Sequence, residues 1–329
     1  MSDATYADVA VPTSAAPNRD VLPLAIAGLI FAGLFAAPFV GDSFVTALLV
    51  RGMLLAIAAI SLDLLVGRGG LVSFGHAAFI AIGAYATGIG LEEGISNGLV
   101  LLALALSCAA LFALVTGAIS LRTHGVGFIM ITLAFGQMAF FTFSSLSAYG
   151  GDDGLTLWNG PELFGTGWLS NRGGLYFVIL AALVATWWLV ARIARSRFGR
   201  VLSAAKDNPV RVATMGYDVT RVRLVAYVIA GTIAGLAGFL SACHAEFVSP
   251  ASAAWQHSGE LLVVVVLGGI ATRNGALIGA FALVLLEELL GHFVTDWRLI
   301  FGPFLVAITL YSTGGLLGAS RRLRRTFAR

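Results

Sequence analysis

Charge is what this sequence has least of. Only 11% of its 329 residues are Asp, Glu, Lys or Arg, where soluble domains carry about 25%. Lysine is scarcer still: Lys206 stands alone, between Ala205 and Asp207. That context excludes the phosphate-binding Gly-x-x-x-x-Gly-Lys-Ser/Thr loop of an ATPase. It also excludes a membrane enzyme built on an intramembrane Schiff-base lysine. Two cysteines, Cys108 and Cys243, fall in separate apolar runs and give no disulfide framework. His-Glu-x-x-His and Cys-x-x-Cys spacings are absent and the five histidines are scattered, so no metal centre or catalytic cluster is indicated. The chain does not read as an enzyme. Nor does it show the alternating ten-residue strands of an outer-membrane barrel.

What is present is apolar length. Hydrophobic residues make up 58% of the chain, and mean hydropathy is +0.92. Runs of about 20 residues, enough to cross a hydrocarbon core of about 30 Å, recur throughout. The runs are 21–40, 44–66, 71–91, 98–119, 126–147, 174–194, 224–244, 258–272, 275–292 and 298–317. The expected fold is an all-α polytopic membrane protein of about ten transmembrane helices, two of them short or broken. Residues 1–20 read as a disordered tail, 21–317 as the membrane domain and 318–329 as a basic tail.

Lysines and arginines collect on the cytoplasmic side of a membrane. Ten spans with both termini inside place every one there except Arg51, Arg172 and Arg298. The pI near 9.1 then reports topology and contact with anionic lipid, with no call for nucleic acid. On this orientation the connection 195–223 is cytoplasmic, and 148–173, with Asp152, Asp153 and Glu162, is external.

Ionisable residues at membrane depth are costly and mark candidate function. Asp63 is read as an interfacial partner of Arg68, and Arg51 as a side chain reaching out to water. Glu260, beside His257, and Glu287 are candidate path residues. Gly268 and Gly269 interrupt the short eighth span, making 258–292 either two thin crossings or a re-entrant hairpin that lines the path. Ser73, Gly75 and His76 open the third span as a gate or packing element, whose free N–H groups could receive a carboxylate or be capped by Ser73. Gly231, Gly235, Gly275 and Gly279 offer smooth faces for close helix packing.

The loop 195–223 carries a framed helix. Asn208 suits an N-cap, Pro209 the first turn and Gly216 the stop, with a second helical stretch before it. A plain connector needs no capped helix. Two readings stand at this point: a docking element for a cytoplasmic partner, or a helix lying on the inner leaflet.

Three blocks in order carry a resemblance. Gly70-Leu-Val-Ser-Phe-Gly-His-Ala-Ala-Phe79 is followed by Gly83-Ala-Tyr85. Phe198-Gly-Arg200, Lys206-Asp-Asn208 and Met215-Gly216 lead into the glycine-rich helix at 231–238. Gly268-Gly269, Gly275, Gly279 and Leu286-Glu287-Glu288 close the set. Together they resemble the permeases of branched-chain amino-acid ABC transporters, and most closely the second, longer permease of the pair.

The resemblance implies a bacterial inner-membrane importer of branched-chain or related amino acids. Its partners would be a second homologous permease, two cytoplasmic ATP-binding subunits and an extracytoplasmic solute-binding protein. ATP would be used by the partner ATPase, leaving no cofactor in this chain. Arg200, Lys206, Asp207, Asn208, Pro209, Arg211, Met215 and Gly216 would then form the ATPase-coupling loop. The alternative is an ion-coupled secondary carrier of small organic solutes, suggested by Asp63, Glu260 and Glu287.

Overall fold

The computed structural model describes residues 21–40, 42–158, 160–162, 171–293 and 302. The tail 1–20, the run 298–317 and the basic tail 318–329 lie outside the described residues. The helices are α1 (Val21–Val40), α2 (Ser43–Asp63), α3 (His76–Glu92), α4 (Gly98–Ser120), α5 (Val126–Ser145) and α6 (Arg172–Arg195). They continue as α7 (Arg197–Asp207), α8 (Pro209–Thr214), α9 (Val219–Ala245), α10 (Trp255–Gly268) and α11 (Gly275–Phe293). Helix is the form a bilayer demands of an open chain, because every interior N–H and C=O finds its partner within the segment.

Among the described residues, five segments are long and apolar enough to cross a membrane: Ser43–Gly69, Gly98–Ser120, Val126–Ser145, Gly173–Arg195 and Val219–Ala245. The protein is a multi-pass membrane protein, helical among the described residues apart from two short strands. The other helices are of unequal kind, and α10, with 14 residues, reaches only about 21 Å.

The third span does not begin at residue 71. After Asp63 the chain widens into a π-helical turn, Leu64–Gly69, which Gly70 closes at φ +66° with its N–H on the Leu65 carbonyl. A left-handed residue stops the helix there. Residues 71–75 are non-helical, and α3 starts at His76. Polar backbone at this depth must be satisfied by protein. Phe74 N donates to Thr132 Oγ1 at 3.3 Å, and Ala77 N donates to Ser258 Oγ at 2.9 Å.

Burial sorts the helices. The apolar windows of α2 and α9 are 56% and 61% buried, against 28% for α4 and 22% for α5, so α2 and α9 form the centre. Close approach there depends on small residues. Ala105, Ala109 and Ala113 recur every four positions on α4, all fully buried, with the last two against Gly235 and Gly231 of α9. A Cβ at Gly238 would land on the Ile80 carbonyl of α3. These helices meet backbone to backbone.

The described part of 148–173 is more built than a polar link. Leu155 pairs antiparallel with Val248 in strands β1 (Leu155–Thr156) and β2 (Phe247–Val248). Tyr149 Oη donates to Glu93 Oε1 at 2.8 Å. This loop caps the end of the bundle away from α7 and α8.

Candidate functional site

Two regions at opposite ends of α2 bring the chemistry together. The first is the basic end. Ser196 Oγ accepts from Gly199 N at 3.2 Å and starts α7, and Asn208 Oδ1 accepts from Arg211 N at 2.9 Å and starts α8. Pro209 occupies the first turn, and Gly216 ends the unit at φ +86°. Each is the local signal that the sequence carries. Val212 is buried inward, while Val210, Met215 and Tyr217 are 72%, 67% and 49% exposed. The helix and the turn after it therefore leave three apolar side chains open to solvent, beside the exposed Arg211.

The eight residues expected in the coupling loop sit together on α7, α8 and the following turn. Their roles divide. Arg200, Asp207, Arg211 and Met215 are exposed. Asn208, Pro209 and Gly216 shape the backbone. Lys206 is exposed too, but its Nζ reaches back to donate to the Gly67 carbonyl in the π-helical turn at 3.0 Å, a part-buried bond. Arg223 Nη2 adds a second tie, to the Ala205 carbonyl at 3.0 Å. Leu202 and Ala205 are fully buried beneath them.

Asp63 is not placed as the sequence suggested. Its hydrogen bond goes to the backbone of the 269–274 turn, with Oδ1 accepting the Ala271 N–H at 2.9 Å, while Arg68 acts on it as a nearby charge. A buried carboxylate beside an available N–H forms that bond in preference to reaching for a more solvated cation. Ala271 has φ +60°, a conformation an alanine holds only when its surroundings enforce it. Gly67 lies against the same residue, where a Cβ would come within 2.8 Å of Ala271 N. Lys206, the π-helical turn and the α10–α11 turn thus form one continuous contact from loop to hairpin.

The second region is a cleft of about 450 Å³ between α2, α3, α9 and α10 at the other end. Small-molecule sites commonly occupy about 300–1,000 Å³. Leu54, Leu55, Ile80 and Leu261 supply an apolar wall, and Arg51, His244, His257 and Glu260 supply charge and polarity. Arg51 does not simply reach for water. Its Nη2 donates to Glu287 Oε2 of α11 at 2.6 Å, because a paired charge is less costly at this depth than a lone one. His257 Nδ1 and Glu260 Oε2 are 3.2 Å apart.

The seven expected path residues separate into three places. Glu260 lines the cleft, and Glu287 joins its rim through Arg51. Gly268 and Gly269 lie at the far end of α10, in the tight hairpin, where a Cβ on Gly268 would meet the Gly275 carbonyl. Ser73, Gly75 and His76 are buried away from the cleft. His76 Nε2 lies 2.7 Å from Ser61 Oγ, and its ring stands edge-on to Phe79. Gly75 backs onto the Thr132 carbonyl. The cap open to Ser73 is supplied by Ser258 of α10 instead, since that hydroxyl reaches the first turn of α3 from the neighbouring helix. Ser241 and His244 escaped the sequence reading. Their i, i+3 spacing on one face of α9 was the only signal for them.

A helical bundle with a charged cleft at one end and a framed basic helix at the other has the plan of a membrane transport protein. Residues 44–310 match the family described as branched-chain amino acid transport system, permease component, and the chain belongs to that family. It is 30% identical over 295 residues to the high-affinity branched-chain amino acid transport system permease protein LivM of Salmonella typhimurium, covering 82% of this chain and 69% of that one. The LivM of Escherichia coli is 29% identical over 293 residues, with 82% and 69% covered. The ribose import permease protein RbsC of Escherichia coli is 27% identical over 257 residues, covering 74% of each chain. No solved structure matches the chain.

Proposed function

We propose that this chain is the membrane permease of an ATP-driven importer of branched-chain or related amino acids in the bacterial inner membrane. It crosses with ten spans, both termini are cytoplasmic, and the end bearing α7 and α8 faces the cytoplasm. A second homologous permease, two ATP-binding subunits and an extracytoplasmic binding protein complete the system. The chain has no phosphate-binding loop, so the ATPase spends the nucleotide and the permease receives the motion.

The observation that carries this reading is the α7–α8 unit. Its exposed Val210, Met215 and Tyr217 form a face for a protein partner, and its inward side is tied to the core by Lys206 on Gly67. Force on α8 passes through Lys206 to the π-helical turn. The Asp63–Ala271 bond passes it on to the α10–α11 hairpin, whose other end borders the cleft. There the mixed charges and apolar wall suit a zwitterion with an aliphatic side chain. The three carboxylates that suggest an ion-coupled carrier each have a protein partner: Asp63 holds Ala271, Glu287 holds Arg51, and Glu260 meets His257.

The test replaces residues 208–216 with a flexible glycine-serine linker. ATP-driven uptake should fall to background, and the ATPase should no longer co-purify. Normal uptake by that variant refutes the coupling role. Uptake by the purified chain alone, driven by an ion gradient without ATP, would favour the carrier reading instead.

A further inference from the structure

Positions 184, 188, 192 and 195 of α6 recur every three or four residues and so share one helical face. The first two are apolar and open, with Val184 38% and Trp188 53% exposed. The last two are Arg192 and Arg195, in the final turn. The 269–274 turn brings Arg273 beside them. Together with Trp188, Ala191 and Ser196, these three arginines line a cleft of about 420 Å³, with no carboxylate among the described residues that line it.

Among the described residues, no carboxylate forms an ion pair with these three cations. Arg192 lies over the Trp188 ring at 5.1 Å and Arg273 over Trp187 at 4.5 Å, so both rest on aromatic faces. The Arg273 Nε is buried with no hydrogen-bond partner. Burial, with the like charge of Arg195, pushes the Arg273 pKa down. Convergent guanidiniums of this kind suit phosphate oxygens. The apolar strip above them suits an acyl chain, and an exposed tryptophan marks the depth of lipid headgroups.

We propose that this cleft binds the phosphate of an anionic phospholipid, with an acyl chain lying along Val184 and Trp188. Free inorganic phosphate shares the headgroup chemistry but makes no use of that strip. The site lies on the lipid-facing side of α6 and is separate from both the cleft at Arg51 and the α8 face.

Native mass spectrometry of the purified full chain tests this, after exchange into phosphatidylglycerol, phosphatidylcholine or lipid-free detergent with roughly 10 mM inorganic phosphate, a saturating excess for a weak anion site. One phosphatidylglycerol should stay bound at collision energies that strip phosphatidylcholine. Arg192→Gln/Arg195→Gln should lower its retention about tenfold, an effect the size of losing a charge-assisted pair. Arg122→Gln/Arg221→Gln removes the same charge from the same end and should leave retention unchanged. Equal loss in both double variants would reduce the effect to general attraction and overturn the site. Displacement of the lipid by inorganic phosphate would overturn the lipid assignment. Loss of the lipid when the ATPase subunit binds would give the cleft to that protein instead. Arg273→Lys, which keeps the charge in the turn, guards against a folding artefact and should retain most of the binding.

Discussion

At its basic end α2 meets the α10–α11 hairpin through backbone. Asp63 Oδ1 holds the Ala271 N–H at 2.9 Å, and Gly67 leaves no room for a Cβ beside it. About three turns further along, beside Gly52 packed on the Phe281 ring, α2 and α11 are also joined by two long side chains. There Arg51 and Glu287 pair at 2.6 Å, with the Arg51 side chain 59% exposed and that of Glu287 12%. A contact made of backbone and short side chains has few alternative arrangements and moves as a piece. A contact between flexible charged side chains beside an open cleft can be made, broken and exchanged at small cost. Transmission needs the first kind of joint, and passage of a solute needs the second.

The tight end is easiest to break at Gly268. A Cβ there would overlap the Gly275 carbonyl, and neither backbone has a rotamer with which to escape. Gly268→Leu should cost about 3 kcal/mol or more by overpacking, seen as loss of monodisperse protein on size exclusion and a lowered unfolding temperature. Wild-type stability in that variant would show the hairpin to be looser than described. Asp63→Ala comes next. It orphans a buried N–H and relaxes the φ +60° of Ala271, at about 1–3 kcal/mol. Asp63→Asn keeps an oxygen acceptor and should recover most of that loss. If alanine and asparagine behave alike in thermal unfolding, the bond to Ala271 is not what holds the turn.

Much of the local structure was legible because its signals are local. Asn208, Pro209 and Gly216 frame α8 within nine residues, and α1 spans 21–40 as its apolar run does. The joints were not legible. Lys206 and Gly67 are 139 residues apart, Asp63 and Ala271 208, and Arg51 and Glu287 236. Helices apolar on every side carry no stripe to say which face meets which neighbour, so no periodicity could pair them. Ser73 shows the same limit. It is a sound cap by type and position, yet the serine that reaches α3 is Ser258, delivered by packing. The π-helical turn was hidden too, because the register of a helix rarely shows in its composition.

Lys206 lets transmission be separated from stability. Its Nζ bond to the Gly67 carbonyl is part-buried, so Lys206→Met should cost only about 1 kcal/mol. Uptake per ATP hydrolysed should fall several-fold, because α7 can then move without carrying the π-helical turn. The measurement is transported solute against released phosphate in the same proteoliposomes. An unchanged ratio would mean that force leaves the loop by another route, with the Arg223–Ala205 tie the next to remove.

The smallest effect on stability belongs to the open end, and its asymmetry is the informative part. Exposed ion pairs contribute about 0–1 kcal/mol, and the Arg51 side chain is mostly exposed while that of Glu287 is not. Arg51→Gln takes one cation away from a largely enclosed carboxylate, whereas Glu287→Gln leaves a guanidinium that water already reaches. The first substitution should therefore destabilise more than the second. Arg51→Gln/Glu287→Gln should return most of the difference, since a neutral pair leaves no enclosed charge uncompensated. Thermal unfolding of the four proteins in one lipid measures this, while uptake should fall in all three variants. Equal and additive destabilisation would mean that the two residues do not act on each other. The open end would then be held by the packing of α2 on α11 alone, as the tight end is.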